Sequence, residues 1–344
     1  MIADSATRER LVGLRRRFVR QQRFALTLLI GLLGVAFLVT LSVGRSVTPP
    51  MAVMRVLLGE PVPGATFTVG QLRLPRAVMS VLAGLCFGLG GASFQLMLRN
   101  PLASPDIIGV TSGAGAAAVV AIVVFSMSGP EVSIIAVAGG LLTAALVYGL
   151  SLQNGASGTR LILVGIGVSA MLQSVIALVL QSSPAWNLQE ALRWLTGSVN
   201  GASLDQALPL LFALILFGGL LLSRSRDLEA LRLGDDVAAS LGVRTGLTRM
   251  LVMLAAVALI ASATAATGPI AFVAFLSGPI AARILGNRGS LLPGAALAGA
   301  GLVLIADFVG QHGLPSRYPV GVVTGVLGAP YLVFLIVRAN RTGG

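Results

Sequence analysis

The sequence predicts an all-α, polytopic membrane protein with ten transmembrane helices in two five-helix halves and short cytoplasmic helices. Three observations predict it. Of 344 residues, 56% are hydrophobic and only 10% charged, where soluble domains carry about 25% charged residues. The apolar residues fall into runs of about 20, the length that crosses a bilayer. The cations obey the membrane's orientation rule: with both termini inside, 18 of the 24 arginines fall on the inner side of ten spans. The net charge of +12 therefore reads as membrane flanks, with no nucleic-acid partner.

Residues 1–23 form a basic head expected to stay in the cytoplasm. Span 1 covers about Phe24–Val43 and has no cleavage site after it, so it reads as a retained helix. Gly44–Leu72 is a polar outer segment, span 2 runs over Pro75–Leu98, and Arg99–Asp106 is a short turn. Spans 3, 4 and 5 follow at Ile107–Met127, Val132–Leu152 and Arg160–Leu180, with a Gly/Ser loop at 153–159. The outer segment Ser182–Gln206 holds a short interfacial helix at Glu190–Gly197, with Trp186 and Trp194 near the headgroups. Span 6 is Ala207–Leu222. Spans 7 (Met250–Ala266) and 8 (Ile270–Leu285) are separated by the break Thr267–Pro269; spans 9 and 10 are Leu291–Val309 and Pro319–Val337. Residues 24–338 thus form the ten-span domain and 339–344 a cytoplasmic tail. An odd number of spans per half gives halves of opposite orientation, a plan used by transporters. Gly84, Gly88, Gly90 and Gly91 in span 2 read as close-packing positions.

The longest polar interruption, residues 223–249, holds four of the twelve acidic residues and five arginines. It reads as two short helices: one capped by Asp227 with Leu228 and Leu231 on one face, the other capped by Asp235 and stopped by Gly242. Ordered, partly apolar helices in a cytoplasmic segment imply a docked partner protein.

The residue inventory excludes several chemistries. There is no lysine, hence no P-loop lysine. The one histidine, His312, supports neither a metal cluster nor a His-based triad. The single cysteine, Cys86, forms no intrachain disulfide. Asp307 is the only acid placed within a span; the others, Asp106 among them, fall outside or at span ends. Ion coupling generally uses a carboxylate at membrane depth, so the energy is expected to come from a separate motor. An ion-coupled secondary carrier is the alternative from a different class.

Several ordered motifs carry a family resemblance. They are Leu72–Arg76, then Gln95, Arg99–Pro105 and Gly109; Arg193–Ser198; Gly268–Val273; Leu292–Gly294; Ala306–Asp307; and Pro319–Thr324 with Gly328–Pro330. On these the chain resembles the permease subunits of type II ABC importers for iron-siderophores, haem and vitamin B12.

The resemblance implies a permease dimer in the bacterial inner membrane, an ABC ATPase dimer inside and a substrate-binding protein outside. It implies no cofactor or metal on this chain, since ATP and Mg bind the partner. The coupling surface it implies comprises Leu228, Leu231, Leu233, Gly234, Asp235, Ala238, Ala239, Leu241 and Gly242. Arg73 and Arg76 are the implied docking arginines; Gln311 stands where the family has a third, and Arg317 is its candidate substitute. Pro279 replaces the family's histidine in Gly278–Arg283 and is expected to kink span 8; this departure favours a heterodimer with a second permease. Met171, Gln173, Ser174 and Trp194 are pathway candidates, and Asn100 and Pro101 form a structural turn. The expected function is the import of a ferric siderophore, with haem or cobalamin as the alternative substrate.

Overall fold

A computed structural model describes residues 5–44, 46–151, 158–286 and 289–342. Among the described residues the regular structure is helical, with no strand. The helices are α1 (Ser5–Ser42), α2 (Pro50–Leu57), α3 (Leu74–Leu98), α4 (Val110–Val123), α5 (Pro130–Ser151), α6 (Gly158–Gln181), α7 (Ala185–Leu195), α8 (Leu204–Ala213) and α9 (Gly219–Ser223). They continue as α10 (Ser225–Leu231), α11 (Asp235–Ser240), α12 (Thr245–Thr267), α13 (Val273–Leu285), α14 (Leu292–His312) and α15 (Val320–Thr342). Two π-helical stretches, Thr66–Arg73 and Leu214–Gly218, lead into α3 and join α8 to α9. Among the described residues, seven helical segments are long and apolar enough to cross a bilayer, and three shorter apolar ones, Val110–Val123, Val273–Leu285 and Val320–Phe334, occupy the places of spans 3, 8 and 10. Leu152 at the end of span 4 and residues 153–157 of the expected Gly/Ser loop lie outside the described residues, as do residues 287 and 288 of the turn before α14. Helix α15 runs on to Thr342, into the segment read as a tail.

The bundle is built around α3, which packs on α12, α13 and α14. Lipid tails supply no hydrophobic drive between helices, so close backbone approach must do the work. The span-2 glycines provide it. A Cβ on Gly84 or Gly88 would strike the α14 backbone at Gly299–Ala300 or Ala295; on Gly91, the α13 backbone at Ala274; on Gly90, Ile260 of α12.

Two spans depart from the sequence boundaries for one reason. A 14-residue helix such as α4 rises about 21 Å, short of a ~30 Å hydrocarbon core. The chain instead enters span 3 through buried irregular backbone and a 3-10 turn, Pro105–Ile108, before α4 begins. Gly109 lies against Gly165 and Ser169, about two to three turns into α6. Span 8 behaves alike: α12 ends at Thr267, Gly268–Phe272 is irregular, and α13 has 13 residues. Non-helical backbone at membrane depth is tolerated where protein buries it or where it lines a cavity.

Pro279 does not end α13; the helix runs through it to Leu285. Proline lacks the N–H that would serve the carbonyl four residues back, that of Phe275. Gln95 of α3 replaces it, its Nε2 donating to the Phe275 carbonyl at 2.9 Å. Gln95 is buried, and a freed backbone carbonyl in apolar surroundings needs such a donor.

Candidate transport pathway and coupling surface

The two irregular entries meet. Ser104, Asp106, Thr111 and Ser112 on one side and Pro269–Phe272 on the other line a cavity of about 560 Å³, which Phe87, Gln173, Phe275 and Leu332 also border. One wall is polar: Ser104 Oγ donates to Asp106 Oδ2 at 3.2 Å, and the Thr111 hydroxyl donates to Asp106 Oδ1. The other wall is apolar, with Phe272 and Phe275 edge to face at 6.5 Å. Phe272 holds a left-handed φ of 64°, costing a non-glycine residue about 1–2 kcal/mol, and its ring fills the space that a Cβ on Gly328 of α15 would need.

The cavity changes the reading of two sequence expectations. Asp106 is not at a span end: the re-entrant turn carries it into the bundle, beside α6. A hydropathy pattern treats residues 99–106 as a surface turn because it cannot see that the chain folds back inward there. Of the four pathway candidates, Gln173 alone borders this cavity, and its Nε2 donates to Ser112 Oγ at 3.4 Å. Met171 and Ser174 lie on the exposed face of α6. Trp194 borders a different cavity of about 370 Å³ with Glu190, Arg193 and Asn200. The sequence signal that finds this cavity is the pair of glycine- or proline-interrupted entries, Ser104–Gly109 and Gly268–Phe272, each opening the third span of its half.

The motifs quoted for the resemblance converge beside it. Ser198 N donates to the Thr267 carbonyl at 2.6 Å and Gly321 N to the Gly197 carbonyl at 3.1 Å. Gly197 has φ 68° and Gly268 φ 70°. A side chain on either would collide with the facing backbone, Pro269 or Trp194 respectively.

At the α7 end of the bundle, Arg76 grips Asp307 of α14 through two bonds of 2.6 Å and donates to Asn200 Oδ1 at 2.7 Å. Asp307 is 2% exposed and Arg76 18%. Arg73 donates to the carbonyls of Leu41, Ser42 and Ser46 and to the Thr48 hydroxyl. Both arginines read as docking charges are thus committed inside the chain; the sequence shows cations at a membrane edge but not the carboxylate 231 residues away. Arg317 is exposed and shares a cavity of about 440 Å³ with Arg73, Arg76, Asp307 and Gln311. Gln311 Nε2 is buried without a hydrogen-bond partner.

At the opposite end, α10 packs on α3 and α12, and α11 on α12. Asp227 and Asp235 are not the caps: Arg224 and Gly234 hold those positions, without a side-chain bond. The carboxylates sit in the first turns and take arginines, Asp227 pairing with Arg224, and Asp235 with both Arg249 and Arg99. Gly242, with φ 85°, follows the end of α11. Leu228, Leu231 and Ala238 are fully buried in the chain's own core and present no surface. The outward set is Leu233 (65% exposed), Val237 (44%) and Leu241 (64%), with Ala239 and Gly242 beside them. Val237 is the residue the sequence-based set lacks. Asn100 forms the turn beyond α3: its Oδ1 accepts from Leu102 N at 2.9 Å, and Pro101 follows it.

A multi-pass helical bundle with a cavity between two interrupted spans, and ordered helices standing at one end, defines a membrane transport component. The chain belongs to the FecCD transport family, whose profile matches residues 32–338; its members are ABC transporter permease subunits. It is 40% identical over 293 residues, 84% of this chain and 88% of the relative, to the ferric enterobactin transport system permease protein FepG of Escherichia coli. It is 38% identical to the achromobactin transport system permease protein CbrC of Dickeya dadantii, covering 96% of this chain and 97% of that one. A metal-chelate type ABC transporter solved in an inward-facing conformation superposes with a TM-score of 0.80 at 29% identity, covering 92% of this chain and 99% of that one.

Proposed function

We propose that this chain is the permease subunit of an ATP-driven importer that takes up a ferric siderophore handed over by an external binding protein. The observation that carries the reading is the α10–α11 tip. Leu233, Val237 and Leu241 stand exposed on a helix–turn tip whose other face is locked into the bundle, and an ordered apolar tip of this kind calls for a protein partner. On this reading the partner is a cytoplasmic ABC ATPase dimer that binds ATP and Mg, the chain crosses the membrane ten times with both termini inside, and a second permease, favoured as a different chain, completes the pathway. The cavity between Asp106 and Phe272 is then this chain's share of the route. A carboxylate of the binding protein docks on the exposed Arg317, with Arg73 and Arg76 as scaffold.

Asp106 at depth reopens the question of ion coupling, but both its oxygens accept from neighbouring hydroxyls, which suits a fixed polar wall. The test is co-purification and uptake. The wild-type chain should capture the ATPase, and Leu233→Glu with Leu241→Glu should release it while the permease stays monodisperse. Uptake of ferric enterobactin, ferric achromobactin, haem and cobalamin by cells carrying the importer selects the substrate. Uptake that survives an inactivated ATPase would sink the proposal.

A further inference from the structure

The α10–α11 tip is hung on two glycines in conformations that side chains rarely adopt, Gly234 at φ 115° and Gly242 at φ 85°. A six-residue helix between two such joints passes on a push only through its own contacts with the bundle. Ala238 is buried there, and one charged residue adds side-chain ties to the bundle. Asp235, the first residue of α11, takes Arg249 of α12 at 2.8 Å and also Arg99 at the end of α3.

Arg99 is itself informative. It ends α3 in the left-handed conformation, φ 52° and ψ 31°, where glycine is the default and another residue gives up about 1–2 kcal/mol. An arginine there is explained by what its side chain does, and what it does is hold Asp235. Helix α3 then runs 25 residues, about 37 Å, with its one proline, Pro75, in the first turn. Its other end is held by the bidentate Arg76–Asp307 pair. The central helix is therefore an unbroken rod with an arginine clasp at each end, one on the exposed tip and one on α14.

We propose that Asp235 and Arg99 are positioning residues that latch the α10–α11 tip to α3, so that displacement of the tip becomes displacement of α3 and of the Arg76–Asp307 clasp beyond it. Arg249 ties the tip to α12 and plays the lesser part. This rests on the ATPase reading above, and adds that Asp235 acts inward, on the rod, and not on the ATPase surface.

The test uses the full chain assembled with its ATPase in lipid nanodiscs. ATPase stoichiometry, basal ATP hydrolysis and its stimulation by the binding protein are measured for D235N, D235E, R99M, R249M and the D235N/R99M double variant. Expected are unchanged stoichiometry and basal hydrolysis throughout, loss of stimulation in D235N and R99M, most stimulation kept in R249M, and recovery in D235E. The double variant should be no worse than either single one, since residues acting as one unit are non-additive. Release of the ATPase by D235N would make Asp235 a contact residue and overturn the latch. So would full stimulation in D235N or R99M. A wild-type chain that captures no ATPase would overturn the parent function along with it, and is distinguishable because it precedes any substitution.

Discussion

Helices α3 and α6 look alike to a hydropathy scale and lead opposite lives. The segment containing α3 has mean hydropathy 1.8 and that of α6 2.3, yet 78% of the first window is buried in the chain and 11% of the second. What separates them is where glycine lies against a neighbour. Four α3 glycines have the atoms of another helix inside Cβ distance, while Gly167 of α6 has nothing within 4 Å. Apolarity decides that a helix enters the membrane; small residues on a face decide that it enters the protein.

The largest expected effect breaks this contrast directly. Gly91→Leu should abolish a monodisperse product on size exclusion, because the side chain would meet the α13 backbone and neither helix can yield; overpacking even a well-packed core with room to relax costs about 1–3 kcal/mol. Gly167→Leu should behave as wild type in the same assay. Equal behaviour of the two would refute the packing argument.

The next effect lies at the end of α3. Asp307→Leu leaves the largely buried Arg76 without its carboxylate and should lower stability by about 3–5 kcal/mol, read as a fall in thermal midpoint in detergent. Adding Arg76→Met should recover part of the loss, since the stranded charge is then gone.

A smaller change tests the link between α3 and α13. Gln95→Leu strips the Phe275 carbonyl of its donor and should cost about 1–3 kcal/mol. Pro279→Ala restores a main-chain N–H, so the same Gln95→Leu placed in that background should cost much less. A cost unchanged by Pro279→Ala would mean that Gln95 serves packing alone.

The smallest structural effect is expected on the α6 side. Gln173→Leu removes one weak bond of 3.4 Å to Ser112, so stability should stay within about 0.5 kcal/mol of wild type. Siderophore uptake should change nonetheless, because the substitution extends the apolar wall of the cavity. Met171→Ala, on the exposed face of α6, should leave uptake untouched.

Legibility followed the range of the interaction. The interruption at residues 223–249 was visible because polarity is a local property, and its two helices were visible from their leucine spacing. Which carboxylate caps and which pairs was not, since Asp235 is claimed by Arg99, 136 residues distant. Arg73 and Arg76 were found as outlying cations, but their partners lie on the α1 side and on α14. Asp106 was placed at a surface turn because a re-entrant backbone has the same local composition as an exposed one.

The sequence by itself determined a helical membrane protein, its family, the approximate spans, the glycine face of α3 and the segment that stands outside the bundle. The family rests on the ordered motifs; the rest follows from composition and short-range periodicity, which bilayer physics reads directly. Only the tertiary structure decided which spans are too short to cross as helices, that their irregular entries meet around one cavity, that Gln95 serves the carbonyl Pro279 frees, and that arginines clasp α3 at both ends. Those are matters of which backbone groups and charges find partners once water is excluded, and the partners lie tens to hundreds of residues apart.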